Sequence, residues 1–353
     1  MVLFTSVAFL VAFVSFVTPW KGVILIDDNG GNGLVYAPET ENSMIISDNF
    51  GFPASKWAAA ASCHCHRGRP STVYVSGGAR RQNATQLTPT NEILAYDPKT
   101  QRTSVFGNMK EARIGHAMTC DGDALYICGR ANDDDVANGC RCANTCEVCH
   151  LSNGTCDYMR PLPRRTTATA ANPFVVAMDG VVYVGAAERW SKSMYAYDTR
   201  TNEWSKTADM TDGHRLGAAV VVSRHFGKHG GDIERHLLVC GGTAGGRADA
   251  KLRSDCELYD RRRNRWYPDR ALPTARCNHS MVAYERRVYA VAGVTPSTSS
   301  DDCTTAKIAK YTPAVERWPW PARGYWTQMQ LNADAELPEE YNSRMVVAVD
   351  TDC

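Results

Sequence analysis

Two stretches place cysteine and histidine at spacings that metal sites use. One is Cys63-His-Cys-His66; the other is Cys140-Arg-Cys142 followed by Cys146 and Cys149. A structural zinc needs four such ligands converging on one point. Side chains alternate along an extended strand, so Cys63 and Cys65 face one side and His64 and His66 the other. Those four cannot share an ion. Disulfide chemistry is the alternative: the chain holds 14 cysteines in 353 residues, an even number, and that density belongs to an oxidising compartment. The expectation is disulfides, no metal and no cofactor.

Other chemistries leave no trace. There is no glycine-rich phosphate loop, no Gly-x-Ser-x-Gly elbow and no His-Glu-x-x-His. No catalytic residue is assigned. The 39 basic and 38 acidic residues leave a net charge of +1, which gives no argument for nucleic acid or an anionic membrane as partner. With 44% hydrophobic and 22% charged residues, the composition is that of a folded globular chain.

The N-terminus supports the oxidising compartment. Val2 to Val17 is an uncharged apolar run, short of the roughly 20 residues that span a bilayer. It fits the core of a secretory signal peptide over 1–18, with cleavage between about 15 and 22. A secreted or lumenal chain then makes usable the glycosylation sequons Asn83-Ala-Thr85, Asn153-Gly-Thr155 and Asn278-His-Ser280. No membrane span is expected.

The rest of the chain repeats itself. Runs such as Val73-Tyr-Val-Ser-Gly-Gly78, Leu125-Tyr-Ile-Cys-Gly129, Leu237-Leu-Val-Cys-Gly-Gly242 and Val288-Tyr-Ala-Val-Ala-Gly293 recur about every fifty residues. A second run follows each: Ala95-Tyr-Asp97, Ala196-Tyr-Asp198, Leu258-Tyr-Asp260. A tryptophan comes seven residues after the tyrosine in Tyr197/Trp204, Tyr259/Trp266 and Tyr311/Trp318, as in a hairpin with a cross-strand aromatic pair. A third element begins Phe52-Pro53, Met109-Lys110, Leu162-Pro163, Met210-Thr211, Leu272-Pro273 and Leu337-Pro338, and leads into small-residue runs such as Ala58-Ala-Ala-Ala61.

This combination resembles the kelch repeat over residues 22–353. The resemblance implies an all-β fold, a β-propeller of four-stranded blades whose strands a to d run outward from a central channel. Small residues then crowd the axis. Leu337–Val349 reads as an inner strand without partners, and Val23–Ile26 as a second strand without its inner one. Pairing them gives six blades, closes the ring between the two termini and leaves no second domain.

The repeat also organises the cysteines. Cys128 and Cys240 share one column, Cys146 and Cys256 another on the neighbouring strand, so bridges Cys128–Cys146 and Cys240–Cys256 are expected. Cys149 and Cys156 stand in the tyrosine and tryptophan columns, and a bridge there replaces the aromatic pair. Cys353, beside the seam, has Cys63 or Cys65 within reach.

Lys56, Arg113, Arg165, Arg215 and Arg276 follow the third element in five repeats. By the resemblance they ring the channel mouth, where kelch adaptors bind acidic peptide segments through arginines. The connection 130–145 overhangs this mouth as a flap. Arg261-Arg-Arg263 with Arg265 falls on the opposite face as a solvated turn. The expected function is a protein-interaction module whose protein partner offers an acidic segment to the basic mouth. The alternative is a carbohydrate-acting enzyme similar to the exported six-bladed sialic acid mutarotase.

Overall fold

The computed structural model describes residues 21–26, 33–37, 42–44, 51–53, 55, 57–63, 71–82, 86–129, 145–163, 173–185, 192–225, 233–244, 251–284, 287–291, 293, 309–312, 325–328 and 345–350. The apolar run Val2–Val17, Lys56, Arg165, Asn83, the flap 130–144 and Cys65, Cys140, Cys142, Cys303 and Cys353 lie outside them.

The described residues are all-β and antiparallel, with six four-stranded sheets and two small two-stranded ones. We label the strands of each large sheet a to d in spatial order. The first sheet comprises Ala59–Cys63, Thr72–Ser76, Glu92–Asp97 and Arg102–Asn108. The second comprises Ala117–Asp121, Ala124–Cys128, Cys146–His150 and Cys156–Tyr158. The third runs Phe174–Met178, Val181–Gly185, Met194–Asp198 and Glu203–Lys206. The fourth runs Ala218–His225, Ile233–Cys240, Cys256–Asp260 and Arg265–Asp269. The fifth has Ser280–Tyr284, Arg287–Val291, Ala309–Thr312 and Tyr325–Gln328. The last joins the two ends of the chain, with Met345–Asp350 as strand a, then Lys21–Ile26, Gly33–Ala37 and Asn42–Met44. Its register sets Lys21 against Asp350 and Ile26 against Met345.

Strand a of each sheet lies beside strand a of the next, and that of the sixth lies beside those of the fifth and the first. The core therefore sits between sheet faces. Phe174, Val176 and Tyr183 of the third sheet pack on Leu237, Val239 and Trp266 of the fourth. Strand b is sandwiched on both sides, and all five residues of Ala124–Cys128 are buried. This is why the b runs read as continuous apolar stretches, without alternation.

The tyrosine–tryptophan hairpin has a physical logic. Tyr197 opposes Trp204, with ring centroids 5.1 Å apart, and Tyr259 opposes Trp266 at 5.0 Å. The Asp after each tyrosine closes the turn, accepting from Arg200 N–H at 2.9 Å and Arg263 N–H at 3.0 Å. Each tryptophan donates its indole N–H to a carbonyl leaving the preceding sheet, Arg160 at 2.7 Å and Ala208 at 2.9 Å. One pairing needs correction: Tyr311 lies opposite Trp326, not Trp318, because strand d of the fifth sheet starts only at Tyr325.

Four disulfides lie among the described residues, which is consistent with an oxidising environment. Cys128 is bonded to Cys146, Cys149 to Cys156, and Cys240 to Cys256, each pair directly opposed across neighbouring strands of one sheet. Cys149–Cys156 occupies the place of the tyrosine–tryptophan pair. The fourth, Cys63–Cys120, ties strand a of the first sheet to strand a of the second. It corrects the expectation that Cys63 was within reach of Cys353. Cys277 is buried.

Because Cys63–Cys120 spans 57 residues, loop-closure entropy gives it about 4 kcal/mol of stabilisation. Replacing both cysteines by alanine is expected to lower unfolding stability by about 2–4 kcal/mol in denaturant titration. Non-reducing peptide mapping of wild-type protein should recover all four bridges.

Candidate functional site

The approach to strand a follows one backbone course in the first, second, fourth and fifth sheets. Two residues before the strand stand Trp57, Gly115, Leu216 and Asn278, all left-handed, with φ of 60°, 61°, 61° and 55°. Gly115 N–H donates to Trp57 C=O at 2.9 Å and Asn278 N–H to Leu216 C=O at 2.8 Å, so each entry is bonded to that of the preceding sheet. Only Gly and Asn adopt this conformation at little cost. Trp57 and Leu216 are held there by the surrounding bonds.

This register corrects the basic column. The residue four positions before strand a is Ser55, Arg113, His214 or Arg276 in the first, second, fourth and fifth sheets; the residue three before is Lys56, Ile114, Arg215 or Cys277. Lys56 and Arg215 therefore share one position, and Arg113 and Arg276 another. Arg165 precedes Phe174 by nine residues and belongs to neither. Aligning on the arginines themselves merged two sets of side chains that point differently.

The Arg113 position is a joint. Its main-chain carbonyl accepts from Gly78 N–H of the first sheet at 2.8 Å, and Arg276 C=O accepts from Gly242 N–H of the fourth at 2.8 Å. Its side chain turns back into its own sheet. Arg113 Nη1 donates to Gly129 C=O at 2.5 Å and Thr145 C=O at 3.1 Å, Nη2 to Thr145 Oγ1 at 2.7 Å and Glu147 Oε1 at 2.9 Å, and Nε to Glu147 Oε1 at 3.1 Å. Both Arg113 and Glu147 side chains are 0% exposed. Glu147 also accepts Lys110 N–H at 2.6 Å and Glu111 N–H at 3.2 Å.

His214 does the same work in the fourth sheet. Its Nδ1 is 2.7 Å from Gly241 C=O and its Nε2 is 3.2 Å from Glu257 Oε1. Glu257 accepts Thr211 N–H at 2.8 Å and Asp212 N–H at 2.9 Å. Burial pushes the Glu257 carboxyl upward, but the bonds from His214 and these amides outweigh it and hold the group below its usual range. In the first sheet Ser55 Oγ takes the matching carbonyl, Gly77, at 2.8 Å. In the fifth sheet Ala309 stands at the register position of Glu147, and burial lowers the Arg276 guanidinium to about 10. Arg113 and Arg276, buried in this way, do not present donors to the channel mouth. Of the ring residues that are described, Arg215, half-buried, is the one with partial access to solvent.

The glycine pair ending strand b is fixed by the joint. Gly77 and Gly241 have φ of 60° and 67°, and a Cβ would meet Arg113 O at 2.7 Å or Arg276 O at 2.5 Å.

Inside the entries lies a cavity of about 600 Å³, walled by small residues of the a strands, among them Ala58–Ala61, Ala117 and Ala218. Leu216, Asn278, His116 and His279 line it. His116 Nε2 meets Ser76 Oγ at 2.8 Å, and burial, then the charge of Arg113, pushes its pKa down to about 3. Its imidazole is neutral throughout the ordinary pH range.

Trp57 has the backbone position of Leu216 and Asn278, yet its side chain is 47% exposed. Sequence reading passed over it, although a bulky residue where others carry Gly or Asn is the available signal. Of the sequons, Asn153 is exposed on a c–d turn and Asn278 is half-buried at the cavity. On the opposite face the arginine run is taken up by carboxylates: Arg262 by Glu234 and Arg263 by Asp260, each at 2.6 Å.

Among the described residues no helix is long and apolar enough to cross a membrane. The profile of a family described as "Protein of unknown function (DUF1668)" matches residues 23–211. Beta-scruin and alpha-scruin of Limulus polyphemus are 25% and 24% identical to this chain over 64% of its length, which spans 24% of theirs. A solved structure of YjhT, 15% identical, superposes with a TM-score of 0.62 over 88% of this chain and 98% of that one. At that identity the likeness concerns the fold, which is propeller-like.

Removing one partner of the Arg113–Glu147 pair strands a buried charge. Arg113→Ala and Glu147→Ala are each expected to cost about 3–5 kcal/mol in denaturant unfolding, whereas replacing both with leucine should cost less than either alone. A double-mutant cycle checks this.

Proposed function

We propose, for a chain that belongs to the DUF1668 family of proteins of unknown function and carries kelch repeats, a six-bladed propeller that serves as a secreted or lumenal protein-interaction module. The six four-stranded sheets and the neighbouring a strands support a ring of six blades, and the pairing of Met345–Asp350 with Lys21–Ile26 supports closure between the two ends. The four disulfides support an oxidising compartment. The signal peptide over 1–18 and glycosylation of Asn83, Asn153 and Asn278 complete this reading.

The observation that carries the binding role is an asymmetry of connections. At one end of the sheets several a–b and c–d turns are tight, as at 122–123, 179–180 and 199–202, and the longest connections there run over 64–71, 226–232 and 313–324. At the other end, b-to-c connections run over 77–91, 129–145, 241–255 and 292–308, and two of them carry hairpins, Ala79–Arg81 with Leu87–Pro89 and Thr243–Ala244 with Lys251–Leu252. A rigid scaffold that invests its chain at one end uses that end for recognition. Trp57 and Arg215 adjoin the cavity-lining Ala58 and Leu216 in sequence, and the residue types favoured at protein interfaces include both. The partner's acidic segment would meet Arg215 and the exposed Arg81; Arg113 and Arg276 serve the fold.

One observation favours the second reading, a carbohydrate-acting enzyme: the cavity of about 600 Å³ is within the size range of small-molecule sites. Alanine is the commonest residue in its walls, and of the two histidines that line it His116 is neutral, so it offers an acidic sugar little positive charge there.

Trp57→Gly removes the exposed aromatic and relaxes a left-handed position. Stability is expected to hold or rise by up to about 1 kcal/mol. Capture of extracellular partners by the folded protein is expected to fall at least tenfold. Arg262→Glu, on the opposite face, should leave capture unchanged. Equal capture by wild type and Trp57→Gly would move the binding surface elsewhere. Interconversion of sialic acid anomers by the wild-type protein, followed by NMR, would favour the enzyme.

A further inference from the structure

His214 stands where the second sheet has Arg113, but an imidazole does not replace a guanidinium donor for donor. Its Nδ1 lies 2.7 Å from Gly241 C=O, an oxygen that only accepts. Nδ1 therefore carries the ring proton. In neutral imidazole Nε2 is then a bare lone pair. It faces Glu257 Oε1 at 3.2 Å and Asp255 Oδ2 at 3.7 Å, both of them acceptors as well. Lone pairs face one another at these distances only with a positive charge between them, which either a second ring proton or a bound cation supplies. In the second sheet the Arg113 guanidinium supplies that charge to Glu147.

Three features suit a metal ion in this place. The ligand atoms of His214, Asp255 and Glu257 lie within 4.8 Å of one another, and His214 Nε2 stands 3.2 and 3.7 Å from the two carboxylates, near the roughly 3.4 Å that separates tetrahedral ligands bound at about 2.0–2.2 Å. The outer contacts are those of a metal site: Gly241 C=O fixes the histidine tautomer, backbone N–H groups of Thr211 and Asp212 orient Glu257, and Arg253 holds Asp255 through bonds of 2.6 and 2.7 Å. There is also an approach, because His214 is wholly buried while Asp255 is 40% exposed. The carboxylates of Asp212, Asp255 and Glu257 outnumber the cations beside them, Arg253 and the exposed Lys192.

We propose that His214, Asp255 and Glu257 form a binding site for a first-row divalent metal ion of the zinc class, with the fourth position open toward solvent past Asp255. One imidazole and two carboxylates suit zinc better than calcium, which takes oxygen ligands alone. The ion does for the fourth sheet what the Arg113 guanidinium does for the second. This site is independent of the partner-binding reading, since its ligands lie in the joint and not on the exposed rim.

The test is calorimetric titration of Zn²⁺ into the full, disulfide-bonded protein after treatment with a chelator. Wild type should bind one equivalent saturably and unfold at a higher temperature with the ion. His214→Arg installs the side chain that the second sheet uses, so the fold should persist while affinity falls at least a hundredfold. Asp255→Asn keeps the His214–Glu257 contact and should weaken binding at least tenfold. No saturable binding by wild type, or binding by His214→Arg within threefold of wild type, overturns the proposal. If His214→Arg does not fold, Asp255→Asn decides: a tenfold loss supports the site and an unchanged affinity overturns it.

Discussion

The joint between consecutive sheets governs most of what is particular about this chain. A glycine N–H at the end of one strand b holds the carbonyl of the residue entering the next sheet, as Gly78 holds Arg113 and Gly242 holds Arg276. Arg113 also sends its side chain into its own sheet, to the Gly129 carbonyl and the buried Glu147. Main chain and side chain thus pull in different directions and fasten two sheets at once. The arrangement needs left-handed glycine where the carbonyl approaches, because a Cβ there would come within 2.7 Å of the oxygen. It also needs every donor of the arginine filled, because a buried guanidinium left unpaired would cost several kcal/mol.

Much of the charge in the neighbourhood is consumed by this task. Arg113, Glu147, His214 and Glu257 are all buried, and they bond to one another or to backbone. The side chains of Trp57 and Arg215 stand on the b–c end, where the connections are long. At the opposite end Arg262 and Arg263 are matched to Glu234 and Asp260.

The disulfides divide the labour in a similar way. Three lie within sheets and tighten hairpins, one of them standing in for the aromatic pair that secures Tyr197–Trp204 and Tyr259–Trp266 elsewhere. Cys63–Cys120 alone among the described bridges crosses between sheets, and it does so at the inner strands, where alanine-lined walls bury little apolar surface to hold them together.

The sequence by itself determined most of the strands, their order and their antiparallel pairing, though not strand d of the fifth sheet, which begins at Tyr325. These follow from period and residue type, which repeat along the chain: the Tyr-Asp turn, the glycine pair and the cysteine columns are local patterns whose partners sit at constant offsets. It also set Leu337–Val349 against Val23–Ile26, because an inner strand at one end and a second strand at the other complete one sheet, and the pairing found is Met345–Asp350 with Lys21–Ile26. Tertiary structure decided which way each polar side chain points. A shift of one residue near strand a separates Arg113, buried against Glu147, from Arg215, half-buried, and arginine spacing in sequence carries no record of that shift. It likewise decided that Cys63 bonds to Cys120 and that His214 faces two carboxylates, since both depend on how neighbouring sheets pack and not on any pattern within one repeat.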